Sequence, residues 1–113
     1  MHEMSLVEGV RELIEDAAKR EGFAHVRSVR VEIGQLSGVE REAFEFCFDL
    51  AMRGSLVEGA RLDIVATPGR GRCPGCGQET ALALVYDACE HCGELPVAVI
   101  AGTEMRVIDL EVE

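Results

Sequence analysis

Residues 68–95 read PGRGRCPGCGQETALALVYDACEHCGEL, and this stretch decides how the rest of the chain is organised. Cys73-Pro74-Gly75-Cys76-Gly77 and Cys89-Glu90-His91-Cys92-Gly93 are two CxxC pairs, with 12 residues between Cys76 and Cys89. A CxxC turn lets two thiolates reach one ion, and the glycine after it permits a tight knuckle. Two such turns brought together give the closed tetrahedral sulfur cage that zinc prefers. A segment this short cannot bury enough apolar surface to fold alone, so it needs a staple. Four of the chain's five cysteines supply one. Leu82, Leu84 and Tyr86 suit a short hairpin joining the knuckles. With all four positions taken by protein, a zinc held here has no open site for water and is structural. His91, inside the second knuckle, could stand in for a cysteine; an exposed knuckle residue is the simpler reading. Arg70 and Arg72 precede Cys73 and are placed to offset the negative charge of four thiolates on a divalent ion.

Other uses of the cysteines fit less well. A thioredoxin-type redox motif needs one CxxC at a helix start, not two in loops. Two disulfides would need an oxidising compartment. Four cysteines can ligate an iron–sulfur cluster, but the ribbon-like spacing favours zinc.

Outward from this segment the pattern is α+β. On the amino-terminal side, Leu6, Val10, Leu13 and Ala17 recur at helical spacing, with Val7, Ile14 and Ala18 beside them. This predicts an amphipathic helix over residues 4–20, with Ser5 as N-cap and Gly22 as stop signal. Val29, Val31 and Ile33 alternate with Arg30 and Glu32, a half-buried strand that Gly34 ends. A second helix is expected over residues 39–53, with Val39, Ala43, Phe44, Phe46, Cys47, Leu50 and Ala51 apolar. Cys47 sits in this set and reads as a small buried hydrophobe. Leu62 and Ile64 begin a strand closed by Pro68-Gly69. On the far side, Ile108, Leu110 and Val112 alternate with Asp109 and Glu111 in a last strand. The expected fold is two helices on a small β-sheet, with a zinc-ribbon-like domain inserted between the last two strands. Residues 1–68 plus 101–113 form the α+β domain and residues 69–100 the inserted one.

Composition excludes several functions. The 113 residues carry 11 basic and 21 acidic side chains, a formal net charge of −10. A nucleic-acid binder must neutralise phosphates with Lys and Arg, and this chain has the opposite balance. Its five aromatic residues, Phe23, Phe44, Phe46, Phe48 and Tyr86, are poor material for base stacking. An anionic membrane surface is disfavoured on the same charge ground, and no apolar run approaches the roughly 20 residues of a membrane span. Met1-His2-Glu3-Met4 leads into a helix bearing Glu8, Glu12, Glu15 and Asp16, without the basic and apolar regions of a secretory signal. The expectation is a cytoplasmic protein with reduced cysteines. There is no nucleophile–base constellation and no phosphate-cradling glycine loop, so an enzyme is not expected.

The amino terminus carries a second metal-binding pattern. A bulky residue at position 2 disfavours removal of the initiator methionine, so His2 should leave Met1 in place. The chain then begins with an amine of pKa about 8, a peptide N–H and an imidazole in sequence. The Met1 amine, the His2 amide nitrogen and the His2 imidazole can wrap one ion through fused chelate rings, and the Glu3 amide can complete a plane. Deprotonated amides are strong-field donors that suit square-planar Ni(II) or Cu(II). His25 is expected on the surface at the start of the first strand.

The opening Met1-His2-Glu3-Met4-Ser5-Leu6 resembles that of the HypA/HybF family of nickel metallochaperones. The resemblance continues through Ile33-Gly34-Gln35-Leu36-Ser37-Gly38-Val39, Phe46-Cys47-Phe48-Asp49-Leu50, Gly54-Ser55-Leu56-Val57-Glu58-Gly59-Ala60 and the double CxxC, and so spans essentially the whole chain. It implies an accessory protein that inserts Ni(II) into the large-subunit precursor of [NiFe]-hydrogenase, working with a HypB-type nickel GTPase; some relatives serve urease. It maps the nickel site onto Met1, His2 and Glu3, with His2 indispensable, and the zinc site onto Cys73, Cys76, Cys89 and Cys92. Some relatives carry a proline inside the second CxxC where this chain has Glu90-His91. The size suits delivery as a monomer or as a homodimer. The alternative is a zinc-ribbon adaptor without a nickel role, from which only the amino terminus distinguishes the chain.

Overall fold

A computed structural model describes residues 2–113; Met1 lies outside the described residues. The elements run α1 (His2–Glu21), β1 (Val26–Gly34), α2 (Arg41–Ala51), β2 (Arg61–Thr67), β3 (Arg70–Arg72), β4 (Glu79–Ala81), β5 (Ala98–Ala101) and β6 (Met105–Val112). They form two three-stranded sheets, ordered β2-β1-β6 and β4-β3-β5. The fold is the expected α+β class, with the second sheet lying in sequence between the last two strands of the first. Two compact units divide the chain: Met1–Val31, Val39–Ile64 and Val107–Glu113 make one, Glu32–Gly38 and Val65–Arg106 the other.

In the first unit α1 packs on α2. The inward stripe of α1 is Val7, Val10, Ile14 and Ala17, and that of α2 is Phe44, Cys47 and Phe48. Val26, Val29 and Val31 of β1 are fully buried. Cys47 is buried as expected. Three positions read as apolar-face residues point outward: Leu13 is 54% exposed, Phe46 65% and Leu50 37%. A helix turns about 100° per residue, so Phe46 lies nearly opposite Phe44 once Phe44, Cys47 and Phe48 define the stripe. By the same spacing Leu13 falls outside the stripe that Val10 and Ile14 define.

The start of α1 also differs from expectation. The helix begins at His2, and Ser5, expected as its N-cap, is exposed within the helix. The Glu3 carboxylate accepts the Glu40 backbone N–H at 3.1 Å, so a contact remote in sequence supports the extra turn. A carboxylate there also suits the positive end of the helix dipole. Glu40 in turn caps α2, its own carboxylate accepting the Ala43 N–H at 2.6 Å.

Strands β1 and β6 run antiparallel, since Ser28 bonds Glu111 while Arg30 bonds Asp109. With Arg61 beside both Asp63 and Glu111, these pairs form a self-neutralising charged face.

In the second unit β3 is central. It pairs antiparallel with β4 in the register Arg70↔Ala81, Gly71↔Thr80, Arg72↔Glu79, and antiparallel with β5 across an irregularity at Arg70/Gly71. Cys73, Leu82, Cys89 and Val97 form the buried cluster, with Leu36 and Val99 packed against it. The hairpin expected from Leu82, Leu84 and Tyr86 is absent. Leu82 is buried, but Leu84 and Tyr86 are exposed on a turn. The Asp87 carboxylate accepts the N–H groups of both Ala83 and Leu84 at 2.9 Å, which folds this segment back before a strand can form. The hairpin lies instead on either side of the first knuckle, in β3 and β4.

Candidate metal centre

The two CxxC segments fold into equivalent knuckles. In the first, the Cys73 N–H donates to the Gln78 carbonyl at 3.0 Å and the Gly77 N–H to the Cys73 carbonyl at 2.8 Å. In the second, the Cys89 N–H donates to the Glu94 carbonyl and the Gly93 N–H to the Cys89 carbonyl, both at 2.8 Å. Gly77 and Gly93 take matching φ values of 74° and 76°. A side chain would strain the backbone there, which is why each CxxC is followed by glycine.

The four sulfur atoms converge. Cys73, Cys76, Cys89 and Cys92 each offer a Sγ, and all four lie within 4.8 Å of one another. The Cys73–Cys92 separation is 3.5 Å and the Cys76–Cys89 separation 3.8 Å. Both pairs cross between the knuckles, and both are far beyond a disulfide bond of about 2 Å. Zinc–thiolate bonds of about 2.3 Å in a tetrahedron place the sulfurs about 3.8 Å apart. Donor type, number and spacing therefore fit one zinc ion. Cys73 and Cys89 are buried, while Cys76 and Cys92 are exposed.

The thiols differ in acidity. Burial opposes ionisation of Cys89, but the N–H groups of His91 and Cys92 directed at its sulfur, with the thiols of Cys76 and Cys92, bring it down to about 7. At Cys92 the Glu94 N–H favours the thiolate, but Cys73, burial and the other two thiols outweigh it and push the group up to about 12. Cys76 is also raised: the Gln78 N–H favours its thiolate, and burial with Cys73 and Cys89 overcomes this. A cation binding the cluster must displace protons from these thiols, so its affinity falls as pH falls.

The flanking residues have other tasks. Arg70 and Arg72 both face Glu79, at 4.0 and 3.3 Å, so each has a carboxylate partner outside the sulfur cage. His91 is exposed, as expected, and its Nε2 lies 3.1 Å from the Glu79 carbonyl oxygen. His25 is exposed just before β1, 3.8 Å from the Glu113 carboxylate.

At the other end of the chain, the His2 side chain is 56% exposed, and its Nδ1 lies 3.8 Å from the Glu3 carboxylate. That carboxylate is held below its ordinary value first by the Glu40 N–H and then by its own backbone N–H, against burial. His2 and Glu3 belong to the first turn of α1, where N–H groups have no partner within the helix. Among the described residues, the four cysteines are the one group of three or more His, Cys, Asp or Glu side chains placed to share an ion. The structure thus brings the predicted cysteines together and leaves His2 exposed beside Glu3, whose side chain is only 12% exposed. Sequence reasoning missed Glu40, which holds Glu3, and Thr80, a fully buried hydroxyl that accepts the Glu90 N–H at 3.2 Å. Neither has a local sequence signature.

Comparison with known proteins covers the whole molecule. A family model described as hydrogenase/urease nickel incorporation, metallochaperone, hypA, matches residues 1–112. A hydrogenase maturation factor HypA from Albidiferax ferrireducens is 54% identical over 113 residues, the full length of both chains. One from Cereibacter sphaeroides is 50% identical, again over the full length of both. The solution structure of the Ni metallochaperone HypA from Helicobacter pylori superposes with a TM-score of 0.69 at 33% identity, covering 97% of this chain and 96% of that one. A second solution structure of a HypA protein gives a TM-score of 0.70 at 34% identity, covering 100% and 97%.

Proposed function

The chain belongs to the HypA family of hydrogenase and urease nickel-incorporation metallochaperones, and from that premise we propose that it carries Ni(II) at its amino terminus to the large-subunit precursor of [NiFe]-hydrogenase, with a HypB-type nickel GTPase as partner. As a maturation factor it is not an enzyme. Residues 1–68 plus 101–113 carry nickel in this reading. Residues 69–100 hold structural zinc on Cys73, Cys76, Cys89 and Cys92.

Nickel is the cargo, and its donors are the Met1 amine, the His2 amide and imidazole, and the Glu3 amide. The observation that carries this reading is the exposed His2 imidazole on the first turn of α1, beside N–H groups that no helical carbonyl claims. The Glu3 carboxylate already accepts the Glu40 N–H, which favours the Glu3 amide over its carboxylate as donor. A five-membered ring closed by consecutive backbone nitrogens needs a ψ near zero, whereas helical ψ is about −42°. Loading therefore flattens the first turn, and release lets it rewind. Amide donors lose their protons on binding, so acidification favours release. The zinc site contributes a fixed cross-link between two knuckles and no reactive position. The cytoplasm, where thiols stay reduced, is the compartment that suits both sites. Among the described residues no helix is long and apolar enough to cross a membrane.

The test is a nickel titration of zinc-loaded protein with an untagged amino terminus, beside His2→Ala. The expected result is a planar-nickel absorption band at about one equivalent, lost in the variant, with zinc content unchanged. Equal nickel binding by both proteins overturns the terminal site. No binding by either leaves the zinc-ribbon adaptor as the better account.

A further inference from the structure

The two knuckles are tied to each other by groups that are not thiols. Strand β4 leaves the first knuckle directly, because Arg72 and Glu79 pair across its base. Two residues of the second knuckle reach back to β4. The Glu90 N–H donates to Thr80 Oγ1 at 3.2 Å, and His91 Nε2 lies 3.1 Å from the Glu79 carbonyl oxygen. A carbonyl only accepts, so this contact is a hydrogen bond when Nε2 carries the proton. That nitrogen then has no lone pair for a metal. Thr80 has no exposed surface; its hydroxyl faces the Ala81 carbonyl at 3.5 Å as donor and accepts the Glu90 N–H from the second knuckle.

We propose that Thr80 and His91 form a clasp that holds the second knuckle against the β3–β4 hairpin and thereby slows loss of zinc from the four-cysteine site. The proposal rests on the zinc reading above. Both residues act through the cysteines and are positioning residues. Each knuckle contributes two of the four sulfurs, so transfer of the ion to a competing chelator requires the knuckles to part. Parting breaks the Glu90–Thr80 and His91–Glu79 bonds as well as zinc–sulfur bonds. Removing one clasp bond should speed zinc transfer about fivefold, and removing both about twenty-five-fold, at the usual net worth of a hydrogen bond.

The experiment uses the full chain loaded with zinc and follows transfer to a chromogenic chelator. Thr80→Val keeps the buried volume and removes the hydroxyl, while Thr80→Ser restores it. His91→Ala removes the ring, while His91→Gln retains an N–H donor of similar reach. The cobalt-substituted proteins report the ligand set through their thiolate-to-cobalt absorption. The expected result is faster transfer from Thr80→Val and His91→Ala, near wild-type rates from Thr80→Ser and His91→Gln, and one four-thiolate cobalt spectrum throughout. Wild-type transfer rates in both Thr80→Val and His91→Ala overturn the clasp and leave the zinc site standing. A cobalt spectrum altered in His91→Ala makes His91 a ligand and overturns it too. If the wild-type chain takes up neither zinc nor cobalt, the zinc reading itself fails and the clasp with it.

Discussion

Replacing Gly34 by alanine should cost far more stability than any glycine-to-alanine change in a helix. Gly34, Gly69 and Gly102 lie where three backbone segments of the second unit meet. A Cβ on Gly34 would sit 2.1 Å from the Gly102 carbonyl oxygen and 2.4 Å from its carbon. Both obstacles are backbone, so relief requires one segment to move by about 1.5 Å to reach ordinary contact. Two short hydrogen bonds run through this point: Gly34 N–H to the Glu104 carbonyl and Leu36 N–H to the Gly102 carbonyl, each at 2.7 Å. Leaving two such groups unpaired costs about 1–3 kcal/mol each, so Gly34→Ala should destabilise by roughly 2–6 kcal/mol. At about 4 °C per kcal/mol for a domain of this size, Tm falls by roughly 8–24 °C. Gly9→Ala is the control. Nothing lies within 4 Å of its added Cβ, and Gly9 is inside α1, so that change should stabilise by up to about 1 kcal/mol. Urea and thermal unfolding of the three zinc-loaded proteins measure both effects. A loss below about 1 kcal/mol in Gly34→Ala would refute the close-approach reasoning.

Other consequences are equally open to measurement. Phe44→Ala removes a fully buried ring and should cost about 3–5 kcal/mol in urea unfolding. Phe46→Ser, on the exposed side of the same helix, should stay within about 0.5 kcal/mol of wild type, and equal losses would show that the helix faces are misassigned. Glu32 is held below its ordinary value of 4.5 by the Thr67 hydroxyl first and Arg106 second. A depressed carboxyl contributes stability above its unfolded pKa and loses it as pH falls through its folded one. The difference in unfolding midpoint between wild type and Glu32→Gln should therefore be full at neutral pH and shrink below about pH 4.5; a difference independent of pH would count against it. Cys73→Ala leaves three sulfurs, and should lower bound zinc and expose residues 69–95 to protease. Unchanged zinc content and unchanged cleavage would contradict the four-sulfur site.

What could be read from the sequence was what is local. A CxxC followed by glycine contains its own geometry, and two of them within one short segment specify four converging sulfurs. The alternation of Val29, Val31 and Ile33 likewise states which side of β1 is inside. Errors arose where several apolar residues competed for one face. Leu13 is as apolar as Ile14, and Phe46 as Phe48; only the packing partner selects between them. Strands β3 and β4 are three residues each and β5 four, rich in Gly, Arg and Ala. They carry no alternation, because knuckle closure and the pairing across β3 set them rather than side-chain pattern. The Glu3–Glu40 contact joins positions 37 apart and is invisible to any periodicity.

The strand order β4-β3-β5 has a consequence for how the second unit is assembled. β3 meets β4 across one knuckle, a short loop that closes readily, but meets β5 only after residues 82–97 have been drawn in. The longer loop costs more chain entropy to close, and the second knuckle lies inside it. An ion bridging Cys73 to Cys92 shortens that loop before β5 arrives. A chain made where zinc is scarce would hold a two-stranded ribbon for longer, with one edge of β3 unpaired and the apolar Ala98–Ala101 segment waiting beside it. Open edges of this kind recruit strands from other molecules. On the zinc reading proposed above, metal supply during synthesis would set how long that edge stays open.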